Sequence, residues 1–410
     1  MKGKKWVFAA LCSILVLAVA VTGCKAAPPV KETIKVGFSC PLSGWASVGL
    51  ETILNPYTMW AEKINEEGGL YVKDIGQRIP VELVYYDSKS SADEVIKIYE
   101  RLITVDKVDI LLSPWSTYAC FPLVPLVEKY HVPLIAATCG TSEILGVDAN
   151  YFWVPGCLLG NASGGSLVNF LRDHKDEIGT RIAYMGLIHP FVLDFKNNFI
   201  PAAEAEGFEI VLNKDYPMGV TDLSEVLVET KGLNPDALVV GSITADMILI
   251  MKQSMEIGFS PKFMYFLVGP GVSEFFDIFG EATDGVCGLG QWDRYGPGPG
   301  STEFYDWYVD RWDKVPDMTD APIHWWSVQV MEQAIEKAGT LDWEKVNEVI
   351  ATEEFTTILG PTTFGPDQLS QTGIGGTSGC AVAQAQKGEI RLVHPPKWAS
   401  AEFIYPKPPW

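Results

Sequence analysis

Short apolar runs alternate with longer amphipathic segments along most of the chain. Residues 34–38 form the first apolar run, which has the length of a buried strand. Residues 55–65 follow with Met59, Trp60 and Ile64 on one face, which predicts an amphipathic helix. A strand followed by a helix, when it repeats, predicts a parallel sheet covered by helices.

The repeat occurs in two successive sets, which predicts two α/β units in tandem. The first set comprises predicted strands at 80–85, 108–112 and 133–137 and predicted helices at 92–105 and 121–130. The second set comprises predicted strands at 181–186, 209–213, 237–241 and 262–267 and predicted helices at 164–174, 191–206, 223–231 and 245–256. Three more helices are predicted before a glycine-rich, strand-like tail, at 303–313, 322–338 and 343–351.

The N-terminus has the layout of a secretory signal peptide, with three lysines among the first five residues and an apolar run at 6–21. The run ends in the letters VTGC at residues 21–24, which resemble a bacterial lipobox. A transmembrane anchor is the alternative, but 16 apolar residues fall short of the roughly 20 that a spanning helix needs. We therefore predict a signal peptide at 1–23, a diacylated Cys24 as the first mature residue, and a tether at 24–32.

The net charge of the chain narrows the classes of partner that it can bind. The sequence has 31 basic and 51 acidic residues, and three of the basic residues lie in 1–23, so the remainder carries a net charge of −23. So acidic a surface argues against nucleic acid as a partner and against broad contact with anionic lipid. The 387 residues after the signal peptide are enough for two domains of roughly 100 to 200 residues.

Six cysteines remain after the signal peptide and Cys24, and none has the CxxC spacing typical of zinc or redox sites. Six cysteines in an exported protein can form up to three disulfides, whereas an anaerobic source would leave them as buried thiols. Both alternatives stay open at this point for Cys40, Cys120, Cys139, Cys157, Cys287 and Cys380.

The sequence contains no motif of a common catalytic or nucleotide-binding site, such as a P-loop, HExxH or GxSxG. Its five histidines are scattered and never stand at metal-ligand spacing. We therefore expect a protein that is not an enzyme and that uses neither a cofactor nor a metal.

Several short motifs occur in a characteristic order: IKVG at 34–37, PLSG at 41–44, INEEGG at 64–69, YYDS at 85–88, PLVEKYHVPLI at 125–135, GVCG at 285–288 and ILGP at 358–361. Each motif is weak alone, but together they span nearly the whole mature chain. In this order the chain resembles the periplasmic leucine/isoleucine/valine-binding proteins. The resemblance implies an α/β fold of two Rossmann-like lobes with parallel-type sheets, joined by three crossovers, with the ligand cleft between them.

The resemblance places the crossovers near Pro155, Leu289 and Pro361. Lobe one would then comprise 33–156 plus 290–360, and lobe two 157–289 plus 361–400. Ligands of such sheets bind outside the carboxyl ends of the strands. Here the predicted strand-end loops are 39–47, 113–118 and 137–142 in lobe one and 189–194, 242–246 and 268–272 in lobe two. From these loops we predict as ligand-binding residues Trp45, Trp115, Ser116, Thr117, Tyr118, Thr138, Thr141, Phe191, Ile243 and Pro270.

Two threonines are predicted to hold a ligand carboxylate. The resemblance implies a carboxylate-binding hydroxyl group in loop 113–117, and Thr117 falls on that position. Thr141 falls near a second such hydroxyl group. The alternative is that both threonines only cap helices.

The loop at 268–272 bears on the rest of the ligand. The resemblance implies an acidic residue here for the α-ammonium of an amino acid, but Pro270 occupies the position. Because proline has neither a charge nor an N–H, we expect a ligand other than a standard branched-chain amino acid, with an aromatic or apolar body. A betaine-like ligand stays open, and so does an ammonium site built on Asp194 or Asp246.

We therefore predict an extracytoplasmic solute-binding lipoprotein, a monomer that contacts the membrane through its lipid alone. It would close its lobes on a small carboxylate-bearing ligand and deliver it to the permease and ATPase of an ABC importer. Two alternatives on the same fold stay open, a ligand-sensing receptor subunit and a true branched-chain amino-acid binder.

Overall fold

The computed structural model describes residues 31–296, 298–377 and 379–410. The predicted signal peptide and Cys24 lie outside the described residues. Within them, the chain forms five sheets, of which a three-stranded and a seven-stranded sheet are the largest, and the buried apolar side chains form three clusters.

The first part of the chain builds lobe one. Its elements are β1 (Ile34–Cys40), α1 (Leu50–Glu66), β2 (Leu70–Val72), β3 (Gln77–Ile79), β4 (Val81–Asp87), α2 (Ala92–Arg101), β5 (Ile110–Leu111), α3 (Thr117–Cys120), α4 (Val124–Tyr130), β6 (Leu134–Ile135) and β7 (Phe152–Trp153). Strand β1 pairs in parallel with β4 on one side and with β5 on the other. Strands β6 and β7 form a second parallel pair, and β2 and β3 form an antiparallel hairpin.

The next part builds lobe two. Its elements are α5 (Gly160–Asp173), α6 (Lys175–Ile178), β8 (Arg181–Leu187), α7 (Pro190–Ala205), β9 (Glu209–Tyr216), α8 (Ser224–Leu233), β10 (Ala237–Gly241), α9 (Thr244–Glu256), β11 (Phe263–Phe266), α10 (Ser273–Phe279) and β12 (Cys287–Gly290). The strands lie in the order β9-β8-β10-β11-β12, and all neighbours in this series are parallel. Their carboxyl ends therefore meet at one edge of the sheet.

The last part contributes to both lobes. Its elements are α11 (Ser301–Trp312), α12 (Asp320–Ala338), α13 (Trp343–Thr352), β13 (Phe355–Thr357), β14 (Gly360–Thr362), β15 (Ala381–Gln386) and β16 (Glu389–His394). Helix α12 packs on α1 in lobe one, where Trp60 Nε1 donates a hydrogen bond of 2.9 Å to Glu332 Oε2. Strands β15 and β16 extend the lobe-two sheet as antiparallel neighbours of β12. The residue boundaries of the two lobes stay a prediction.

The predicted elements with long apolar patterns are present, with shifted ends. Helix α1 begins at Leu50 rather than at 55, because its buried face continues through Ile53 and the helix tolerates Pro56 in its interior. Helix α10 and the β2–β3 hairpin were not predicted. Three-residue strands and a seven-residue helix are too short to show a period.

The six cysteines that follow Cys24 are buried free thiols in this structure, which is the second of the two alternatives. In the described part of the chain, no helix is both long and apolar enough to span a membrane. The same residues contain no cluster of three or more His, Cys, Asp or Glu side chains that could hold a metal ion.

Candidate functional site

A cavity of about 70 Å³ lies between the lobes, at the carboxyl ends of their parallel strands. On the lobe-one side it is lined by residues that follow β1, β5 and β6, and by the start of α12. On the lobe-two side it is lined by residues that follow β8, β10 and β11. This is the edge where open α/β sheets bind their ligands.

Three aromatic side chains form much of the apolar wall. Trp45 and Trp115 stand with ring centroids 6.4 Å apart in lobe one, and Phe191 lines the cavity from lobe two. Two glycines make room for these rings, because a Cβ on Gly49 would lie 2.3 Å from the Trp115 ring and a Cβ on Gly140 would lie 2.5 Å from the Phe191 ring. Large flat rings of this kind suit an apolar or flat ligand body.

Hydroxyl groups line the wall beside the tryptophans. Thr138 Oγ1 accepts a hydrogen bond of 2.7 Å from the Ser116 N–H, and Thr117 Oγ1 accepts one of 2.9 Å from the Gly140 N–H. A threonine hydroxyl group that accepts one bond still has its own hydrogen to donate. No acceptor in the described part of the chain takes the hydroxyl hydrogen of Thr117, so it can be offered to a ligand oxygen.

Two carboxylates stand in the cavity wall at the start of α12. Asp320 Oδ2 accepts a hydrogen bond of 2.7 Å from Trp115 Nε1, which holds the indole ring in place. Asp317 Oδ1 accepts bonds from the Thr319 N–H, the Thr319 hydroxyl group and the Asp320 N–H, at 3.0, 2.7 and 2.8 Å. Burial raises the pKa of both carboxyl groups, and the proximity of Asp317 raises the pKa of Asp320 further.

His189 faces the same cavity from lobe two, at the residue before α7. Its side chain is only 4% exposed, and Nδ1 has no hydrogen-bond partner among the described residues. Burial lowers the pKa of the imidazole to about 4, so the ring is neutral at pH 7. A buried polar nitrogen without a partner is costly unless a ligand or water completes its bond.

Two contacts join the lobes beside the cavity. Asp194 Oδ2 on α7 accepts hydrogen bonds from the Ser142 N–H at 3.0 Å and from the Ser142 hydroxyl group at 2.9 Å. The Met318 N–H donates to the Gly271 carbonyl at 2.9 Å. Both contacts link a strand-end loop or helix start of lobe two to a loop of lobe one.

The structure brings seven of the ten predicted ligand-binding residues to the cavity wall, namely Trp45, Trp115, Ser116, Thr117, Thr138, Phe191 and Ile243. Tyr118 lies behind the wall, with its ring centroid 4.8 Å from that of Trp45. Thr141 Oγ1 accepts a bond of 3.3 Å from the Glu143 N–H, as a helix cap does. Pro270 is buried beside Gly288 and does not line the cavity.

The two acids that were considered for an ammonium site have structural partners instead. Asp194 forms the contact to Ser142 and also accepts a bond of 2.7 Å from the Gly160 N–H. Asp246 Oδ2 accepts bonds from the Tyr216 hydroxyl group at 2.7 Å and from the Ile243 N–H at 3.2 Å. Neither side chain lines the cavity.

The acids that do line the cavity were missed. Asp317 and Asp320 flank Thr319 directly before a long helical pattern, and such a cluster is typical of a helix cap. Thr52 and Leu158 were also missed, because they lie in a helix and at a crossover rather than in a strand-end loop. A search of the few residues just before the predicted helices at 55–65 and 322–338 would have found three of these four residues.

Two parallel-sheet lobes with a cavity between their strand ends define a bilobal ligand-binding protein of the α/β class. The chain belongs to the periplasmic binding protein family, whose model matches residues 33–389.

The relatives of the chain are of the leucine/isoleucine/valine-binding type. It is 22% identical over 363 residues to the leucine-, isoleucine-, valine-, threonine- and alanine-binding protein of Pseudomonas aeruginosa, covering 85% of this chain and 90% of that one. Two solved structures share the fold at low identity. One is the branched-chain amino acid transporter substrate binding protein of Streptococcus pneumoniae in complex with isoleucine, with TM-score 0.74, 19% identity, and 91% of this chain and 100% of that one covered. The other is a solute binding protein of an ABC transporter from R. palustris in complex with benzoate. It has a TM-score of 0.73 and 15% identity, and the match covers 91% of this chain and 97% of that one.

Proposed function

We propose that this protein is the extracytoplasmic ligand-capturing subunit of an ABC importer and that it binds a small carboxylate-bearing molecule between its lobes. The observation that carries the proposal is the cavity, whose aromatic walls and few polar groups come from strand-end loops of both lobes. Pockets for small molecules are typically apolar with a few well-placed polar groups. The S. pneumoniae and R. palustris structures, which are described as parts of transporters, support the importer role.

The hydroxyl groups in the cavity wall support a ligand that bears a carboxylate. The free hydroxyl hydrogen of Thr117 and the side chain of Ser116 lie where a ligand oxygen can be held, beside the aromatic body of the cavity. The relatives in complex with isoleucine and with benzoate both have a carboxylate-bearing ligand, although the bodies of the two molecules differ.

Lobe closure is the proposed capture step. The Asp194–Ser142 and Met318–Gly271 hydrogen bonds join the lobes beside the cavity, so separation of the lobes would break them. Ligands that contact both walls would favour the closed form, and the permease and ATPase complex would then recognise that form.

A lipid on Cys24 is the proposed anchor. The lipobox letters at 21–24 support it, and two acyl chains hold a protein to a membrane far better than one. Replacing Cys24→Ser should release the protein from the membrane fraction and abolish labelling with a radioactive fatty acid. Continued labelling of the Cys24→Ser protein would contradict the anchor.

Thermal unfolding of the full-length protein in detergent, with added ligands, tests the binding function. The panel is leucine, isoleucine, valine, benzoate-type acids and glycine betaine. A ligand at 100 times its Kd should stabilise the folded state by about 2.7 kcal/mol and raise Tm by several degrees. If no member of the panel changes Tm at millimolar concentration, the proposed ligand class is wrong.

A further inference from the structure

Two cysteines meet near the point where the chain first passes from lobe one to lobe two. Cys157 lies in a turn between β7 and α5, and Cys380 directly precedes β15. The Cys380 thiol donates a hydrogen bond of 2.6 Å to the carbonyl oxygen of Cys157, although the two residues stand 223 positions apart in the sequence. Both side chains are buried, with exposed fractions of 0% and 6%. The fold therefore brings two distant thiols to one buried point.

The two sulfur atoms are also neighbours of each other. Burial raises the pKa of the Cys380 thiol well above its usual value, and a hydrogen bond with the Cys157 thiol raises it further. A disulfide requires Cβ atoms about 3.5 to 4.5 Å apart, and two thiols in hydrogen-bond contact are close to that arrangement.

Hydrogen bonds from the surrounding chain hold the two segments side by side. The Cys157 N–H donates to the Gly375 carbonyl oxygen at 3.1 Å. The Ser166 hydroxyl group on α5 donates to the Cys380 carbonyl oxygen at 2.8 Å. Backbone contacts on both sides of the pair therefore fix the distance between the cysteines.

The other cysteines in the described part of the chain have different surroundings. Cys120 Sγ donates to the Pro114 carbonyl oxygen at 3.2 Å, and Cys287 Sγ donates to the Gly285 carbonyl oxygen at 3.7 Å. Among the described cysteines, a hydrogen bond between two thiols joins this one pair alone. The geometry thus singles out one pairing among the fifteen that six cysteines allow.

We propose that Cys157 and Cys380 form a disulfide bond in the exported protein. The structure shows both residues as thiols, which is the state from which such a bond forms. The oxidant is a reactive disulfide, of the kind that extracytoplasmic compartments provide. This inference concerns a covalent modification site and goes beyond the proposed capture of a ligand.

The reaction is an exchange of disulfides. The thiolate of one cysteine attacks a sulfur of the oxidant, so that the oxidant's S–S bond breaks and a mixed disulfide forms. The second cysteine then attacks the protein sulfur of the mixed disulfide and displaces the other half of the oxidant. Two electrons and two protons pass from the protein to the oxidant, which leaves as two thiols.

Burial determines when the bond forms. The thiolate is the reacting species, and the buried Cys380 thiol keeps its proton in the folded protein. Oxidation therefore takes place while the exported chain folds, before the two side chains are covered. Once formed, the bond joins the segment that follows β7 to the segment that precedes β15.

Refolding of the full-length protein in detergent tests the bond. The chain is unfolded in urea, reduced, and returned to native conditions in a mixture of reduced and oxidised glutathione. Remaining thiols are alkylated under denaturing conditions, and mass spectrometry of an unreduced digest identifies the cross-linked peptides. We expect Cys157 linked to Cys380 in most molecules and Cys287 alkylated. Alkylation of both Cys157 and Cys380, or a link from either one to another cysteine, would overturn the proposal.

Thermal unfolding with and without a reductant measures what the bond does. A disulfide that closes so long a loop should raise Tm by about 5 to 10 °C relative to the reduced protein. Cys380→Ala should abolish this dependence on the reductant. Cys287→Ala is the matched control and should retain it, because Cys287 is a buried cysteine of the same apolar cluster on the strand beside β15.

A reductant effect that persists in Cys380→Ala, or that is absent from the wild type, would overturn the stabilising bond. Either result would leave the proposed ligand binding intact, since neither cysteine of the pair lines the cavity.

Discussion

Among the described residues, the side chain of Thr117 makes one hydrogen bond and has one hydrogen left to donate. Its oxygen accepts the Gly140 N–H at 2.9 Å, and the side chain is buried at the cavity wall. If the hydroxyl group donates to a charged ligand oxygen, Thr117→Val should weaken binding by about 1.5 to 3 kcal/mol. Titration of Thr117→Ser, which retains the hydroxyl group, should give nearly wild-type affinity. Unchanged affinity in Thr117→Val would remove this side chain from the site.

Gly140 sets the position of Phe191 across the cavity. A Cβ at Gly140 would lie 2.5 Å from the Phe191 ring and 3.0 Å from the Leu158 carbonyl oxygen, so Gly140→Ala must displace the ring. We expect a loss of about 1 to 3 kcal/mol in the free energy of unfolding and weaker ligand binding. Gly146→Ala is the control, because a Cβ there meets nothing within 4 Å. Equal unfolding midpoints in urea for the two variants would contradict this packing.

Cavity-lining residues in strand-end loops could be predicted from the sequence, whereas cavity-lining residues outside those loops could not. Trp115 and Phe191 follow predicted strands directly, so their place at the cavity follows from the sheet edge. Asp320 reaches the same cavity from the start of α12, which belongs to a different part of the chain. Only the packing of α12 against α1 brings it there, and a sequence pattern does not contain that packing.

Asp246 stabilises the start of α9 and is not part of the cavity wall. Its buried carboxyl group holds Tyr216 and the Ile243 N–H, and burial raises its pKa from 3.8 to about 6. A raised pKa means that the folded state binds the proton more tightly, so wild-type stability falls as the pH rises through about 6. Asp246→Asn lacks this effect.

The free energies of unfolding of Asp246→Asn and wild type should therefore diverge with pH. Between pH 5 and pH 8 the difference, variant minus wild type, should rise by about 1 kcal/mol. Asp222→Asn is the control, because bonds from Ser224 lower the pKa of this exposed carboxyl group. Its titration therefore changes the free energy of unfolding only below about pH 4. Denaturation in urea at the two pH values measures both differences. A constant difference for Asp246→Asn would show that its carboxyl group titrates normally.

Helices and strands with long apolar patterns were predictable because their burial repeats with a fixed period. Helix α9 was predicted at 245–256 and lies at Thr244–Glu256, and strand β10 was predicted at 237–241 and lies at Ala237–Gly241. Strand β12 was not predicted as a strand, because its letters CGLG show no period and its pairing with β15 comes from nearly a hundred residues later. Long-range pairing of this kind is decided by tertiary structure.

The two-lobed arrangement rests on connections that periodicity cannot reveal. The alternation of strands and helices predicted two α/β units. That the chain later goes back to lobe one with helices α11, α12 and α13, and then to lobe two with strands β15 and β16, could be expected only from the resemblance to a known family. Once the family is known, the parallel order of the strands places the cavity between the lobes. The ligand itself still depends on individual side chains.

Closure of the whole molecule should depend on Asp194, which joins α7 of lobe two to Ser142 of lobe one. Asp194→Ala should raise the dissociation rate of the bound ligand about tenfold, with little change in the association rate, because contacts made after encounter act mainly on dissociation. Asp215→Ala is the control, since Asp215 pairs with Lys196 within lobe two at 2.6 Å. Stopped-flow tryptophan fluorescence follows both rates. Equal dissociation rates in the two variants would contradict a role of Asp194 in holding the lobes together.

A crystal structure of the protein with its tightest-binding ligand tests the central claim most directly, namely that a small molecule is held between the lobes. We predict the ligand body between the rings of Trp115 and Phe191 and its carboxylate within about 3 Å of Thr117 Oγ1. A ligand bound outside this cavity, or one that contacts a single lobe, would contradict the claim.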